Sequence, residues 1–253
     1  MISRYEAYMD GVALSSVHPD LIITDIRHAV ADYARTTQTT VNRDGSRILK
    51  DYRKATGVSI FFRLRIYDIS ERQKALQKVQ QWASGQVLET NDRVGQRLFV
   101  HCDKYPVISS ALKWLETLSI TFYSYEKPFW EEKTESVARL TGNDEEGSLF
   151  VPGNAGKALV EVSVTPSAKI TSLTVSVNDT FISISGINTN SVISIGYDAN
   201  GNQYIKAGTT SILNKRTASS SDDLLAKCGE YNTVSVIASA SVTAEFKTRG
   251  VWM

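Results

Sequence analysis

Val58, Ile60, Phe62, Leu64 and Ile66 alternate with Ser59, Arg63 and Arg65. A period of two puts one side of a strand in a core and leaves the other in water. Leu118-Ser119-Ile120-Thr121-Phe122-Tyr123 repeats the pattern, and the run from Ile2 to Met9 leads into Asp10-Gly11, a pair suited to a tight hairpin turn. Together these segments predict an antiparallel sheet. Between them the period lengthens: Ile69, Leu76, Val79 and Ala83, with Trp82 beside them, fall on one face of a helix over 70–84. Ser70 and Gln73 have capping-box spacing at its start and Gly85 stands at its end, so Glu71, Arg72, Lys74 and Lys78 are predicted to face water.

Residues 31–57 follow neither pattern. Thr36-Thr37-Gln38-Thr39-Thr40, Asn42-Arg43-Asp44-Gly45-Ser46-Arg47 and Leu49-Lys50-Asp51-Tyr52-Arg53-Lys54 offer little to a core. A polar arm turning at Asp44-Gly45 is expected, a two-stranded excursion that is marginal in water until something covers it. A neighbouring subunit is the expected cover, which makes Arg43, Asp44, Gly45, Arg47, Lys50 and Tyr52 candidate interface residues.

The second half is almost wholly strand-patterned. Val160, Val162 and Val164 alternate with Glu161 and Ser163, Leu173, Val175 and Val177 alternate with Thr174 and Ser176, and Ile182, Ile184, Ile193 and Ile195 extend the series. Asn178-Asp179 and Asp198-Ala199-Asn200-Gly201-Asn202 read as turns, and Val234, Val236, Val242, Ala244 and Phe246 form the last strands. Short strands at this spacing predict a β-sandwich. The fold class is therefore mainly β: a sandwich-like first domain (1–136) with one helix and a protruding hairpin, then a second β-sandwich (137–253). Thr141-Gly142-Asn143-Asp144-Glu145-Glu146-Gly147 and Val151-Pro152-Gly153-Asn154 combine turn formers with acidic residues, and a linker or domain entrance is expected there.

Composition changes this picture little. The 253 residues suit two domains, and 42% hydrophobic and 22% charged residues are ordinary for folded chains. Most of the charges precede residue 136, and the remainder is richer in Ser, Thr and Val. A formal net charge of +1 provides no field to hold nucleic acid or an anionic membrane. Met1-Ile2-Ser3-Arg4-Tyr5-Glu6 lacks the apolar core of a signal peptide, and no run approaches a membrane span, so cytoplasm-like conditions and no membrane are expected. The two cysteines, Cys102 and Cys228, are far apart and are expected to be free buried thiols.

Catalytic constellations are missing from the sequence. His18, His28 and His101 lack metal-ligand spacing. Gly153-Asn154-Ala155-Gly156-Lys157 is shorter than a phosphate-binding loop and leads into a strand, and Asp198, Asn200 and Asn202 lack the closing Glu of a calcium loop. Glu131, Glu132 and Glu135 cluster without the fixed pair of carboxylates that a glycosidase needs, and no G-x-S-x-G occurs. No catalytic residue, metal or cofactor is expected. Tyr197, Tyr204, Tyr231 and Trp252 are weighed as a sugar-stacking platform against ordinary strand packing.

Taken in order, the elements resemble the distal tail protein family of long-tailed bacteriophages. The resemblance spans nearly the whole chain. It rests on Tyr5-Glu6-Ala7-Tyr8-Met9-Asp10-Gly11 with Ile22-Ile23-Thr24-Asp25-Ile26, on the arm around Arg43-Asp44-Gly45-Ser46, and on the strand from Val58 to Tyr67 followed by Ser70-Glu71-Arg72 and the helix ending in Gln81-Trp82. Leu88-Glu89-Thr90-Asn91-Asp92, Arg97-Leu98-Phe99-Val100, Ile120-Thr121-Phe122, Glu126-Lys127-Pro128-Phe129 and Gly229-Glu230-Tyr231-Asn232-Thr233-Val234 follow in the family's order. Two positions depart from it: Met9-Asp10-Gly11 stands where an aromatic and an asparagine are common, and Cys228 stands where a proline is frequent.

The resemblance implies a homohexameric ring around a DNA-sized channel, with one or two stacked rings left open. The first domains would build it through their sheets and arms, and galectin-like or carbohydrate-module-like jelly-roll domains would project outward. Implied partners are the major tail tube protein, a tail-associated hub protein, and a receptor-binding protein or host cell-wall glycan, with DNA only as cargo. The implied location is the tail tip of the virion, after assembly in the host cytoplasm. The alternative from another class is a carbohydrate-binding adhesin that recognises bacterial surface glycans through Tyr197, Tyr204 and Tyr231. A glycan-degrading enzyme is the third reading.

Overall fold

The first hairpin turns where its two special residues place it. β1 (Ala7–Met9) and β2 (Val12–Ala13) pair antiparallel, and the residues between them, Asp10 and Gly11, both have positive φ, 50° and 81°. That is the backbone twist a two-residue hairpin requires. The structure, a computed structural model, describes residues 5–29, 33–39, 46–106, 117–125, 127–198 and 202–253. Its chain is mainly β and divides into two units, Met1–Glu131 with Met253, and Glu132–Trp252. No helix among the described residues is long and apolar enough to cross a membrane.

Among its described residues, unit 1 contributes strands to two larger sheets and to one two-stranded ladder. β1 also pairs with β7 (Val87–Thr90), which pairs with β8 (Gln96–Phe99). The other sheet runs in the order β3 (Leu21–Ala29), β6 (Thr56–Leu64), β10 (Leu118–Ser124), β9 (His101–Lys104). Val58, Ile60, Phe62, Ile120 and Phe122 are fully buried on one face of it, as the period of two predicts. β4 (Tyr33–Thr39) and β5 (Ser46–Arg53) pair only with each other and form a separate two-stranded ladder.

The helix α1 (Ile69–Ala83) packs on this core through Leu76, Val79 and Ala83, and Trp82 meets Phe122 edge-on at 6.1 Å while its indole N–H donates to Val12 O. Aromatic pairs of this geometry add about 1 kcal/mol to the area they bury. Three details differ from the sequence reading. The cap is Asp68, two residues before Ser70, whose carboxylate accepts from Glu71 N at 2.8 Å, so the helix begins at Ile69. Ile69, at the first position, is exposed. Arg72 is buried, because its guanidinium turns back to the carbonyl of Ile66 and satisfies an acceptor left free by the end of the β6 run.

Unit 2 is a sandwich threaded by two long strands. β11 (Trp130–Val151), which begins in unit 1, pairs with β20 (Glu230–Trp252). β20 pairs through Val234–Ala238 with β14 (Ile170–Val177), the partner of β15 (Thr180–Thr189), and through Val242–Lys247 with β13 (Glu161–Pro166). β13 continues to β16 (Ile193–Tyr197), β17 (Gln203–Ala207) and β18 (Thr210–Ser211). A short ladder joins β12 (Lys157–Leu159) to β19 (Leu225–Lys227). One core of Val, Ile and Leu side chains, with Phe246 at full burial, lies between these strands. A strand that changes sheet partner along its length lets two halves close over one core.

The linker expected at Thr141–Gly147 is instead the middle of β11. Ala138, Leu140, Leu149 and Val151 are buried on either side of it, and the exposed polar stretch between them stays extended because β20 supplies its ladder. The turn lies just after, at Gly153. Its φ is +122° and a Cβ there would run into the backbone of Val251, which receives the amides of Asn154 and Ala155 at 3.0 and 3.1 Å. Only glycine fits that approach.

Candidate functional site

The arm grows from the end of the β3–β6 ladder. Ala29 and Gly57 are its last register partners, and beyond them β4 and β5 pair from Tyr33↔Arg53 to Thr39↔Ser46, with a register shift between Thr36 and Thr37. Of the predicted interface residues, Arg47, Lys50 and Tyr52 lie on β5 opposite Gln38, Thr36 and Ala34, whereas Arg43, Asp44 and Gly45 lie outside the described residues. At the root, the Tyr123 ring covers its cross-strand partner Gly57, approaching within 3.0 Å of where a Cβ would sit. An aromatic laid over a strand glycine restores the packing that the missing side chain forfeits.

A charged cluster flanks this root. His28, in register with Val58 on β3, hydrogen-bonds Asp92 Oδ2 at 2.7 Å, and its ring meets Trp130 edge-on at 5.3 Å. The Arg93 guanidinium lies 5.1 Å over the Trp130 ring. Burial raises Asp92, but the Thr90 hydroxyl and the hydrogen bond and charge of His28 outweigh it and hold the carboxyl below its ordinary value of 3.8. A carboxylate depressed in the folded state contributes stability that is present above its unfolded pKa and is lost as pH falls through the folded one. Asp92→Asn is therefore expected to lower the melting midpoint of the protein at neutral pH, with a gap from the native chain that narrows once the pH falls below 3.8 and through the lower folded-state value, as followed by calorimetry across that range. A gap that stays constant with pH removes Asp92 from the account.

The three tyrosines of unit 2 do not form one surface. Tyr197 and Tyr204 sit on neighbouring strands, but the register pairs Tyr204 with Gly196 and Tyr197 with Gln203. Residues one step apart in a ladder face opposite sides. Tyr197 points into the sandwich, where its hydroxyl accepts from Leu224 N at 3.2 Å and burial pushes its pKa up. Tyr204 lies outside, over Gly196 and beneath the Lys206 ammonium at 4.7 Å. Tyr231 is on β20 with its ring 5.0 Å from Phe150. Trp252 donates its indole N–H to Glu132 at 2.9 Å.

The remaining candidate groups are occupied by structural partners. The amides that follow Gly153 are spent on Val251 O, and Cys228 N donates to Gly156 O. Asp198 closes its turn by accepting from Asn202 N at 2.8 Å; residues 199–201 lie outside the described residues. Glu131 pairs with Arg97 and Lys127, and Glu135 with Arg249. Both cysteines are free and half-buried, and burial raises their thiol pKa values. Among the described residues, no three His, Cys, Asp or Glu side chains are grouped to hold a metal.

No family model matches the chain, and no curated protein matches it. Among solved structures it is similar to the Dit protein of phage SPP1, described as a paradigm of the hub adsorption apparatus in phages that infect Gram-positive bacteria: TM-score 0.68 at 11% identity, over 97% of this chain and 98% of that one. It is also similar to a chain of the phage P2 baseplate in its activated conformation, with TM-score 0.47 at 11% identity over 99% and 98% of the two chains. The first likeness shows that the two units and their order along the chain form a known fold.

Proposed function

We propose that this chain is a structural component of a phage tail tip, a hexameric ring that links the tail tube to a tail-associated hub protein and carries receptor-binding or adhesion proteins. The observation that carries the reading is the likeness of the whole fold, over both units, to the SPP1 hub protein. The separate β4–β5 ladder supports it, since a two-stranded hairpin that joins neither sheet of its own unit gains most from a neighbour. In this reading the first domain (1–136) closes the ring and the second (137–253) faces outward. A cyclic ring repeats one heterologous interface until rotation returns to the start, so an arm from each copy onto the next uses every arm once. The work is done by surfaces and requires no catalysis; DNA passes through the channel as cargo, and the site of action is the virion.

The purified chain is expected to give a particle of six times the 28.0 kDa monomer by native mass spectrometry, or twelve if two rings stack, and closed rings by electron microscopy. A single protomer at every concentration tested overturns the proposal.

A further inference from the structure

Among the described residues, β15 pairs with β14 and with no other strand, so it stands at an edge. Such an edge offers a row of backbone amides and carbonyls to any other chain, and folded proteins guard it with charges, proline or a bulge. From Thr180 to Thr189, β15 has no Lys, Arg, Asp, Glu or Pro. Its second half is irregular: Gly186 has a φ of 65°, and the register with β14 shifts between Ile170 and Ser172. A shift of this kind twists a strand away from further pairing. The first half is regular and needs another guard.

Residues 216–222 supply it. Thr217 N donates to Ser183 O at 2.9 Å and Ser221 N to Phe181 O at 2.8 Å. The two edge amides are met by side chains: Ser183 N donates to Ser220 Oγ and Phe181 N to Ser221 Oγ, both at 3.0 Å. All four outward backbone groups are thereby closed, although residues 217–222 form no strand. Arg216 holds the segment in this shape. Its guanidinium donates to the carbonyls of Ser220 and Ser221 at 3.3 and 2.7 Å, to Asp222 Oδ1 at 3.2 Å and to Gln203 Oε1 at 3.1 Å. Gln203 Nε2 in turn donates to Asp222 O at 2.7 Å.

We propose that residues 216–222 are a strap that keeps β15 from pairing with β15 of a second copy of this chain, and that Arg216 holds the strap shut. A loop needs no bond to a neighbouring strand to complete its own turn, yet two serine hydroxyls of this one are spent on the amides that a visiting strand would take. The excluded partner follows from the strand itself. Two copies of β15 can meet antiparallel across a two-fold axis, each residue reciprocally paired. With no charge in either strand, no like-charge pair opposes the contact. The guard acts whether or not the chain forms a ring, because every effect is measured against the native particle.

The test is Arg216→Ala in the full chain. Residue-resolved exchange mass spectrometry should show the Phe181 and Ser183 amides exchanging at least about tenfold faster, with Ile182 and Ile184, which pair with β14, unchanged. Light scattering should give a particle of at least about twice the native mass. Adding Ser185→Lys at the next exposed position brings ammonium groups together along the joined edge, and should restore the native mass while the two amides stay fast. Where Arg216→Ala also speeds exchange at Ile182 and Ile184, the double variant Ser220→Ala/Ser221→Ala, which spares the Arg216 bonds to the backbone, decides by the same readouts. Unchanged exchange at Phe181 and Ser183 in both variants overturns the strap. Faster exchange at native mass, or a raised mass that Ser185→Lys leaves in place, overturns the β15 partner.

Discussion

Replacing residues 31–54 by an Asn-Gly turn is expected to leave both units folded and to abolish the proposed ring, so that the mass expected of a hexamer gives way to a single protomer. Ala29 and Gly57 face each other across the β3–β6 ladder, so a short turn can close the gap without moving the sheet. What is removed is a ladder that belongs to neither sheet of unit 1. An isolated hairpin is marginal in water, so in the proposed ring most of its stabilisation would come from burial on the next copy. Loss of that contact should weaken subunit association by at least about 1,000-fold, or about 4 kcal/mol. Analytical ultracentrifugation reads the mass and calorimetry reads the melting midpoint. Intact rings formed by the shortened chain would assign assembly to the sheets alone.

The second large effect is expected at Asn232, which is 1% exposed and holds five hydrogen bonds. Its Oδ1 accepts from Lys227 N at 2.7 Å and from Asn178 Nδ2 at 2.8 Å. Its Nδ2 donates to the carbonyls of Lys227, Glu230 and Leu149 at 3.0, 3.1 and 3.3 Å. One amide thus ties β11, β20, the Lys227 end of β19 and the turn between β14 and β15. Asn232→Ala leaves the buried Leu149 carbonyl and the part-buried groups of Asn178, Lys227 and Glu230 without this partner, and a loss of about 3 kcal/mol is expected. Asn232→Asp should be at least as damaging at neutral pH, because it sets a carboxylate oxygen against backbone carbonyls.

The two variants then separate on acidification. Burial among acceptors raises the folded-state pKa of the introduced Asp, so the stability deficit is present above that value and shrinks as pH falls through it, when the protonated acid regains a donor. Urea denaturation near pH 7 and near pH 4 measures both effects. A loss below about 1 kcal/mol in both variants would show that the network contributes little.

Much of the fold was legible because it is local. The alternation through Val58–Ile66, the Asp10-Gly11 and Asn178-Asp179 turns and the helical stripe of Leu76, Val79 and Ala83 depend on side-chain period and backbone sterics, and the structure places each as read. Where two local signals compete, sequence spacing fails. Asp68 and Ser70 both offer an N-cap oxygen, and the carboxylate two residues upstream is the one that meets a free amide. That Asn232 is the keystone of five bonds was beyond reach, because its partners come from residues 149, 178, 227 and 230.

What the sequence determined by itself is the strands of clear alternation, the helical stripe of Leu76, Val79 and Ala83, the tight turns and the two-stranded excursion between Ala29 and Gly57, because each follows from residue type and its near neighbours. Only the tertiary structure decided that the acidic run at Thr141–Gly147 extends as strand, that Arg72 is buried, that Tyr197 and Tyr204 part to opposite faces, and that Phe150 stands beside Tyr231. Each of these is set by which strand lies alongside and in what register. A ladder supplied from far along the chain can hold a turn-rich segment extended, and one step of register turns a side chain from the core to water.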